Sequence, residues 1–478
     1  MSSDAIKPSV TVYVASFGAL LGAVSMGLAL GYTTPAFDDM DKQNSTLLSP
    51  DKATSESQKG LIGSMLAVGA LVGGFLGEPC NKLLGRRISL IAFGVPFIIG
   101  WLCLFLANSI TWLVLGRLLT GLCCGLVSGT APTYVVEIAP PSIRGLLGTC
   151  FQVMVVIGIL LACVFGLFST WWQLAGWSLL PSLVTMLIMF FMPETPQWLL
   201  SKGRTEEAEA SLIKLRTTPV TQELSVMAQA ATNAQQGASQ YSFETIKSRE
   251  FYKPFILALG LMFFQQFSGI NAVLFYQTDI FKKASPKADA LMSAIYVCIA
   301  QVIATLAGSA LVDRLGRKIL LFASGFGHTL SLIVFGWYSY HSTDVAFQRD
   351  YAWISLASLI VFVVAFSLGF GPVPWMMIPE LSSTRVRSMV ASLATAFNWT
   401  CVYIVTAAVK SMISSLGDAA TYWIFASICA VSCIFVYFAL PETKGRSAEQ
   451  IQVELLGEPA AQDVRSQKLL EQPMKVLA

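Results

Sequence analysis

The chain has 478 residues, of which 55% are hydrophobic and only 12% charged, with a mean hydropathy of +0.64. A soluble domain carries about a quarter charged residues, so a soluble globular protein is excluded, and a formal charge of +3 is too small to point to nucleic acid. The ten cysteines lie in or beside apolar runs, and His328 and His341 stand apart from any cysteine pair, so no disulfide framework, metal site or cofactor is expected.

Residues 1–9 are polar and precede an apolar run from Val10 that is too long for a signal-peptide core. Apolar runs then recur over roughly 10–33, 60–80, 88–107, 111–133, 147–168 and 174–192. After a gap they resume over 253–281, 290–312, 319–340, 352–378, 388–413 and 420–440. Each can cross a hydrocarbon core about 30 Å thick, which predicts an all-α membrane protein with twelve transmembrane helices in a lipid bilayer. The polar segment 193–252 divides them into bundles over 10–192 and 253–440, with a tail over 441–478. In that segment "RTEEAEASLIKL" (204–215) reads as a short surface helix capped by Thr205, and "QAATNAQQGASQ" (229–240) as a mobile linker.

Lysine and arginine set the expected orientation. With both termini and the central segment in the cytosol, that side holds twenty-two of the 31 Lys and Arg and the other side eight; Arg117 lies inside span four. Asn44-Ser45-Thr46 then falls in the longest outward loop, which makes Asn44 a glycosylation candidate.

The two halves repeat each other. "NKLLGRR" (81–87) echoes "VDRLGRK" (312–318), "PTYVVEIAPPSIRG" (132–145) echoes "PWMMIPELSSTRVRS" (374–388), and "PETP" (193–196) echoes "PETKGR" (441–446). Three ordered echoes indicate a duplicated six-helix unit, which suits rocking of one bundle against the other about a midplane site. Arg86, Arg87, Glu137, Arg144, Glu194, Asp313, Arg314, Arg317, Glu380 and Arg387 lie in these echoes. They are the candidates for ion pairs that close the cytosolic gate and break when it opens.

These motifs, together with "QQFSGINAVLFY", "GRLLTG", "GPVPW", "FNW" and "PETKGRSAEQI", resemble the facilitative hexose transporters of the sugar porter branch of the major facilitator superfamily. "LALGYTTPAF" and "GLLGTCFQVMVVIGIL" look most like the class III members. The resemblance covers about residues 10–452. It implies the major facilitator fold, with two pseudo-symmetric six-helix bundles, and a facilitative hexose uniporter, glucose first, that works as a monomer. Residue by residue it implies Gln152, Gln265, Gln266, Asn271, Gln301, Trp375, Asn398 and Trp399 as sugar ligands.

That set makes chemical sense, since an amide offers donors and an acceptor to adjacent hydroxyls without a carboxylate's desolvation penalty. The competing expectation is that buried amides serve only helix–helix bonding. In a straight helix Gln265 and Asn271 diverge by roughly 120°, and Ser268-Gly269 between them can loosen the helix. Pro372 and Pro374 with Gly371 break span ten; packing of a kinked helix would account for them, and the resemblance implies a moving gate.

Span one contains no acid, and Ala29 stands where proton-coupled relatives carry an aspartate, which favours uniport over proton symport. Glu78 is the unsettled acid and reads as interfacial. Lys82, Gln197, Ser388 and Ser367 depart from the family pattern and thin the expected cytosolic ion-pair network. A proton–sugar symporter and a non-transporting sugar sensor remain the alternatives, and an enzyme is disfavoured because no nucleophile–base arrangement stands in the loops. The plasma membrane is preferred to an intracellular one.

Overall fold

The structure is a computed structural model and describes residues 7–43, 47–238, 247–284, 289–383, 386–446 and 448–456. Asn44 lies outside the described residues. Among the described residues twelve helices are long and apolar enough to cross a membrane, and no strand occurs beyond one isolated bridge between Pro8 and Arg216. Side chains such as Leu187, Phe190 and Phe438 stand exposed on the helix flanks, as contact with lipid requires.

In the first half, span one is Val10–Gly31, span two Lys52–Leu84, span three Arg86–Phe105, span four Ile110–Ile138, span five Pro141–Gly166 and span six Trp171–Phe191. The second half repeats the order. Span seven is broken into Arg249–Phe267 and Ile270–Phe275, followed by Ala290–Leu315, Arg317–His341, the broken pair Trp353–Leu368 and Val373–Leu381, then Arg387–Leu416 and Asp418–Ala439. A single buried apolar cluster runs through both halves. The halves meet where span two packs on span eleven and span five on span eight.

Two spans outrun their apolar cores. Span one continues after Tyr32 as the helix Thr33–Lys42. Span two begins at Lys52, where the Asp51 carboxylate accepts the Thr54 N–H at 2.9 Å and caps the first turn. These polar extensions carry charge beyond the core on the face opposite residues 193–252. The two sides are called here the far face and the linker face.

The linker corrects two expectations. Thr205 is the first residue of the helix Thr205–Leu215 and does not cap it; Arg204 holds that position and pairs with Glu207 one turn on, at 2.5 Å. The stretch from residue 229 is helical as far as Ala238, in the helix Thr221–Ala238. Ala and Gln are good helix formers, and Leu224, Met227, Ala228 and Ala231 pack on Trp198, Leu199, Leu200 and Ala208. Arg216 ties the linker to the first half, donating to Ile138 O at 2.8 Å and pairing with Glu223.

Candidate functional site

Two breaks define the middle of the molecule. In span seven, Gly269 adopts φ +89°, a left-handed conformation open to glycine at little cost, and so ends one helix at Phe267 and starts the next at Ile270. In span ten the helix stops at Leu368 and restarts at Val373, with Pro372 at the cap and Pro374 in the first turn. Each proline lacks an N–H, which leaves carbonyls of the preceding turn without a helical donor.

One amide answers both breaks. Gln265 Nε2 donates to Phe370 O at 2.7 Å and to Gly371 O at 3.1 Å, so it binds the two carbonyls of the span-ten break. Its Oε1 accepts Asn398 Nδ2 at 2.7 Å and Gln266 Nε2 at 3.2 Å. Gln266 Oε1 accepts Asn271 Nδ2 at 2.5 Å. Gln265, Gln266 and Asn398 are buried, and the chain of amides joins spans seven, ten and eleven.

The structure therefore brings four of the eight expected sugar ligands together, and it has them bonding one another and the backbone. In this state the helix–helix alternative describes Gln265, which has both amide hydrogens on carbonyls. Gln301 and Trp399 are buried, and Gln301 Oε1 and Trp399 Nε1 have no partner among the described residues. Buried polar groups are bonded as a rule, so these two are left with capacity to bind. Trp375 is 37% exposed and Gln152 half-buried; neither joins the amide chain.

The echoed charges of the linker face form two matching clusters, each joined within its own half among the described residues. In the first, Arg86 Nη2 meets Glu137 Oε1 at 2.9 Å, and Glu194 accepts the backbone N–H groups of Arg86 at 3.0 Å and Arg87 at 3.1 Å. In the second, Arg317 Nη2 meets Glu380 Oε1 at 3.1 Å, and Glu442 accepts the N–H groups of Arg317 at 3.1 Å and Lys318 at 3.0 Å. Each glutamate thus sits on a helix N-terminus, where free N–H groups and the helix dipole favour an anion. Partial burial works against the charge on Glu442, yet the N–H groups of Lys444, Arg317 and Lys318 hold its carboxyl below the usual range.

Among the described residues Arg144 and Arg387 donate only to backbone carbonyls just before their helices, Ala139 O at 3.2 Å and Ser382 O at 3.4 Å. Arg314 is exposed and the Asp313 side chain lies outside what is described. Among the described residues no ion pair crosses between the halves on this face.

The far face is the reverse. Lys282, beyond span seven, pairs with Asp38 at 2.8 Å and Asp41 at 3.4 Å of the span-one extension. Lys410, at the end of span eleven, pairs with Glu56 of span two at 2.5 Å and Asp279 at 3.6 Å. Lys59, 2% exposed, links Asp41 at 2.6 Å to Glu56 at 3.2 Å. Beneath them Thr34 Oγ1 donates to Leu274 O at 2.7 Å, and Thr278 Oγ1 to Thr34 O at 3.0 Å. Lys282 is held above its ordinary value because Asp38 and Asp41 outweigh the opposing effect of burial. Sequence alone does not reveal this set. Its local signals are i,i+3 and i,i+4 spacings, such as Glu56 with Lys59, Asp279 with Lys282 and Asp38 with Lys42.

Arg117 is fully buried without a carboxylate partner among the described residues. Its Nη1 donates to Ala29 O at 2.5 Å, its Nε to Ile62 O at 3.4 Å, and the guanidinium lies 5.9 Å from the Tyr32 ring centroid. Glu78 pairs with Lys82 one turn on, at 3.3 Å, near the linker-face end of span two.

Comparison with known proteins fits this architecture. Residues 5–455 match the family described as "Sugar (and other) transporter". Facilitated trehalose transporters named Tret1 from Apis mellifera ligustica and Polypedilum vanderplanki are 36% and 37% identical over 449 residues, covering 93% and 94% of this chain and 88% of each relative. The Tret1 of Anopheles gambiae is 37% identical over 94% of this chain, which spans only 56% of that relative's length. Among solved structures, a partially occluded inward-open form of the xylose transporter XylE from E. coli superposes with a TM-score of 0.76 at 24% identity, covering 92% of this chain and all of that one. The proton:xylose symporter XylE bound to 6-bromo-6-deoxy-D-glucose gives the same score over 93% of this chain and 99% of that one.

Proposed function

We propose a transport cycle for this chain, which belongs to the sugar transporter family, in the sugar porter branch of the major facilitator superfamily, and is a multi-pass membrane transporter and not an enzyme. The cargo is a neutral sugar carried down its gradient by alternating access, with the linker face in the cytosol. Trehalose is the first candidate, on the strength of relatives named facilitated trehalose transporters, and a hexose such as glucose is second.

The observation that carries the reading is the amide chain at two broken helices. Gln266, Asn271 and Asn398 can exchange bonds with one another for bonds to sugar hydroxyls, while Gln265 keeps the span-ten break anchored. Gln301 and Trp399 add polar atoms that lack partners among the described residues. Each exchanged bond nets about 0.5–1.5 kcal/mol, so a handful gives affinity in roughly the millimolar range. Weak binding lets cargo leave.

The surroundings of Arg117 support uncoupled transport. A proton relay needs a carboxylate facing the arginine, and here the backbone carbonyls of Ala29 and Ile62 occupy it. The test is uptake of radiolabelled trehalose and of glucose into proteoliposomes holding the full chain, each competed by the other unlabelled sugar. Saturable trehalose entry, blocked by excess trehalose more than by glucose, is the expected result. Glucose entry that trehalose does not compete would restore the hexose as cargo. Binding of either sugar without entry would identify a sensor.

A further inference from the structure

Transport by alternating access requires each face to open in turn, and the two faces of this structure are held by different means. On the far face four lysines and four carboxylates form one connected lattice. Lys42 and Lys282 share Asp38, Lys282 and Lys59 share Asp41, Lys59 and Lys410 share Glu56, and Lys410 reaches Asp279. Lys282, Lys410 and Asp279 belong to the second half and the other five groups to the first, so the lattice crosses between halves at Lys282 and again at Lys410.

We propose that Lys282 and Lys410 are gate residues that close the far face by charge pairing across the halves, so that ionic conditions at this face set how often it opens. They are positioning residues that act through the closure of spans one and two on spans seven and eleven. This inference rests on the alternating-access reading, but its test needs no sugar.

The energetics favour a latch that yields. An ion pair within one half moves as a unit and contributes equally to both access states; only pairs that cross the halves are made in one state and lost in the other. Partly exposed pairs are individually weak and screened by salt, which suits a gate that must open in every cycle. Lys59 is the exception, because its burial between Asp41 and Glu56 makes it the fixed centre of the lattice. Removing it would leave two carboxylates facing each other.

A native reporter lies below the latch. Cys163 of span five and Cys298 of span eight are buried, with sulfurs 3.9 Å apart across the same interface. Opening of the far face separates these spans and admits water to the thiols. The experiment is labelling of the purified full chain with a charged, membrane-impermeant maleimide, read at Cys163 and Cys298 by peptide mass spectrometry.

Labelling is expected to rise roughly two- to fivefold for Lys410→Met and for Lys282→Met, and to return to the wild-type rate for Lys410→Arg and Lys282→Arg. It should also rise in the wild type between low salt and about 0.5 M salt. Rates unchanged in both methionine variants and across the salt series would overturn the latch, and transport could still be uncoupled sugar transport. Should a variant fail to fold, the salt series on the wild type decides alone.

Discussion

The far and linker faces carry similar charge chemistry in opposite topology. On the linker face Arg86–Glu137 and Arg317–Glu380 are each closed within one half. On the far face Lys282–Asp38 and Lys410–Glu56 span the two halves. A pair that rides on one rigid body stabilises the fold and is silent about which face is open. A pair between bodies adds its whole strength to one state. Counting ion pairs therefore says nothing about a carrier's resting state until each pair is assigned to one half or to both.

The comparison can be broken first at its pivot. Gln265→Ala removes the donor to Phe370 O and Gly371 O and strands Asn398 as well, and each unsatisfied buried group costs about 1–3 kcal/mol. Sugar uptake should fall at least roughly tenfold, a loss equal to about 1.4 kcal/mol in the barrier, and the melting temperature should drop. Uptake at the wild-type rate would show that the amide does not hold the span-ten break.

A smaller effect sharpens the contrast between structural and state-setting charges. Gly316 has φ +98° and ψ 157° at the start of span nine, beside the Glu442 carboxylate. Gly316→Ala should cost about 1–3 kcal/mol, seen as a lower melting temperature, with labelling of Cys163 and Cys298 unchanged in the fraction that folds. Increased labelling would mean that linker-face damage reaches the far face.

The smallest effect is one of pH. Glu442 is held below the usual carboxylate range when folded, so its contribution to stability is complete above the unfolded carboxyl value of about 4.3. It is lost as pH falls through the lower folded value. The melting difference between wild type and Glu442→Gln should stay constant from about pH 7 to 5 and shrink below about pH 4. A difference that already shrinks near neutrality would contradict the depressed carboxyl.

The fold was largely legible because its signals are local. Apolar length marks the twelve spans, the breaks fall at Gly269 and at Gly371-Pro372, and the echoed motifs place Arg86 and Arg317 in equivalent surroundings. What sequence could not show was which partner each polar group takes. Gln265 bonds carbonyls 105 and 106 residues away, and Lys410 a glutamate 354 residues away, with no periodicity to mark either. The far-face lattice was invisible for the same reason: most of its charges lie in short polar extensions, and Lys410 in the last turns of span eleven, where hydropathy reads only the ends of spans. Thr205 misled because Thr is a common cap, yet Arg204 fills that place and leaves Thr205 inside the first turn.

The measurement that bears most directly on the central claim is sugar entry into proteoliposomes under an imposed inward proton gradient. Trehalose entry that stops at equal concentrations inside and out, with or without the gradient, is the expected result for a carrier whose buried Arg117 has no carboxylate partner among the described residues. Accumulation above the outside concentration, driven by protons, would contradict it.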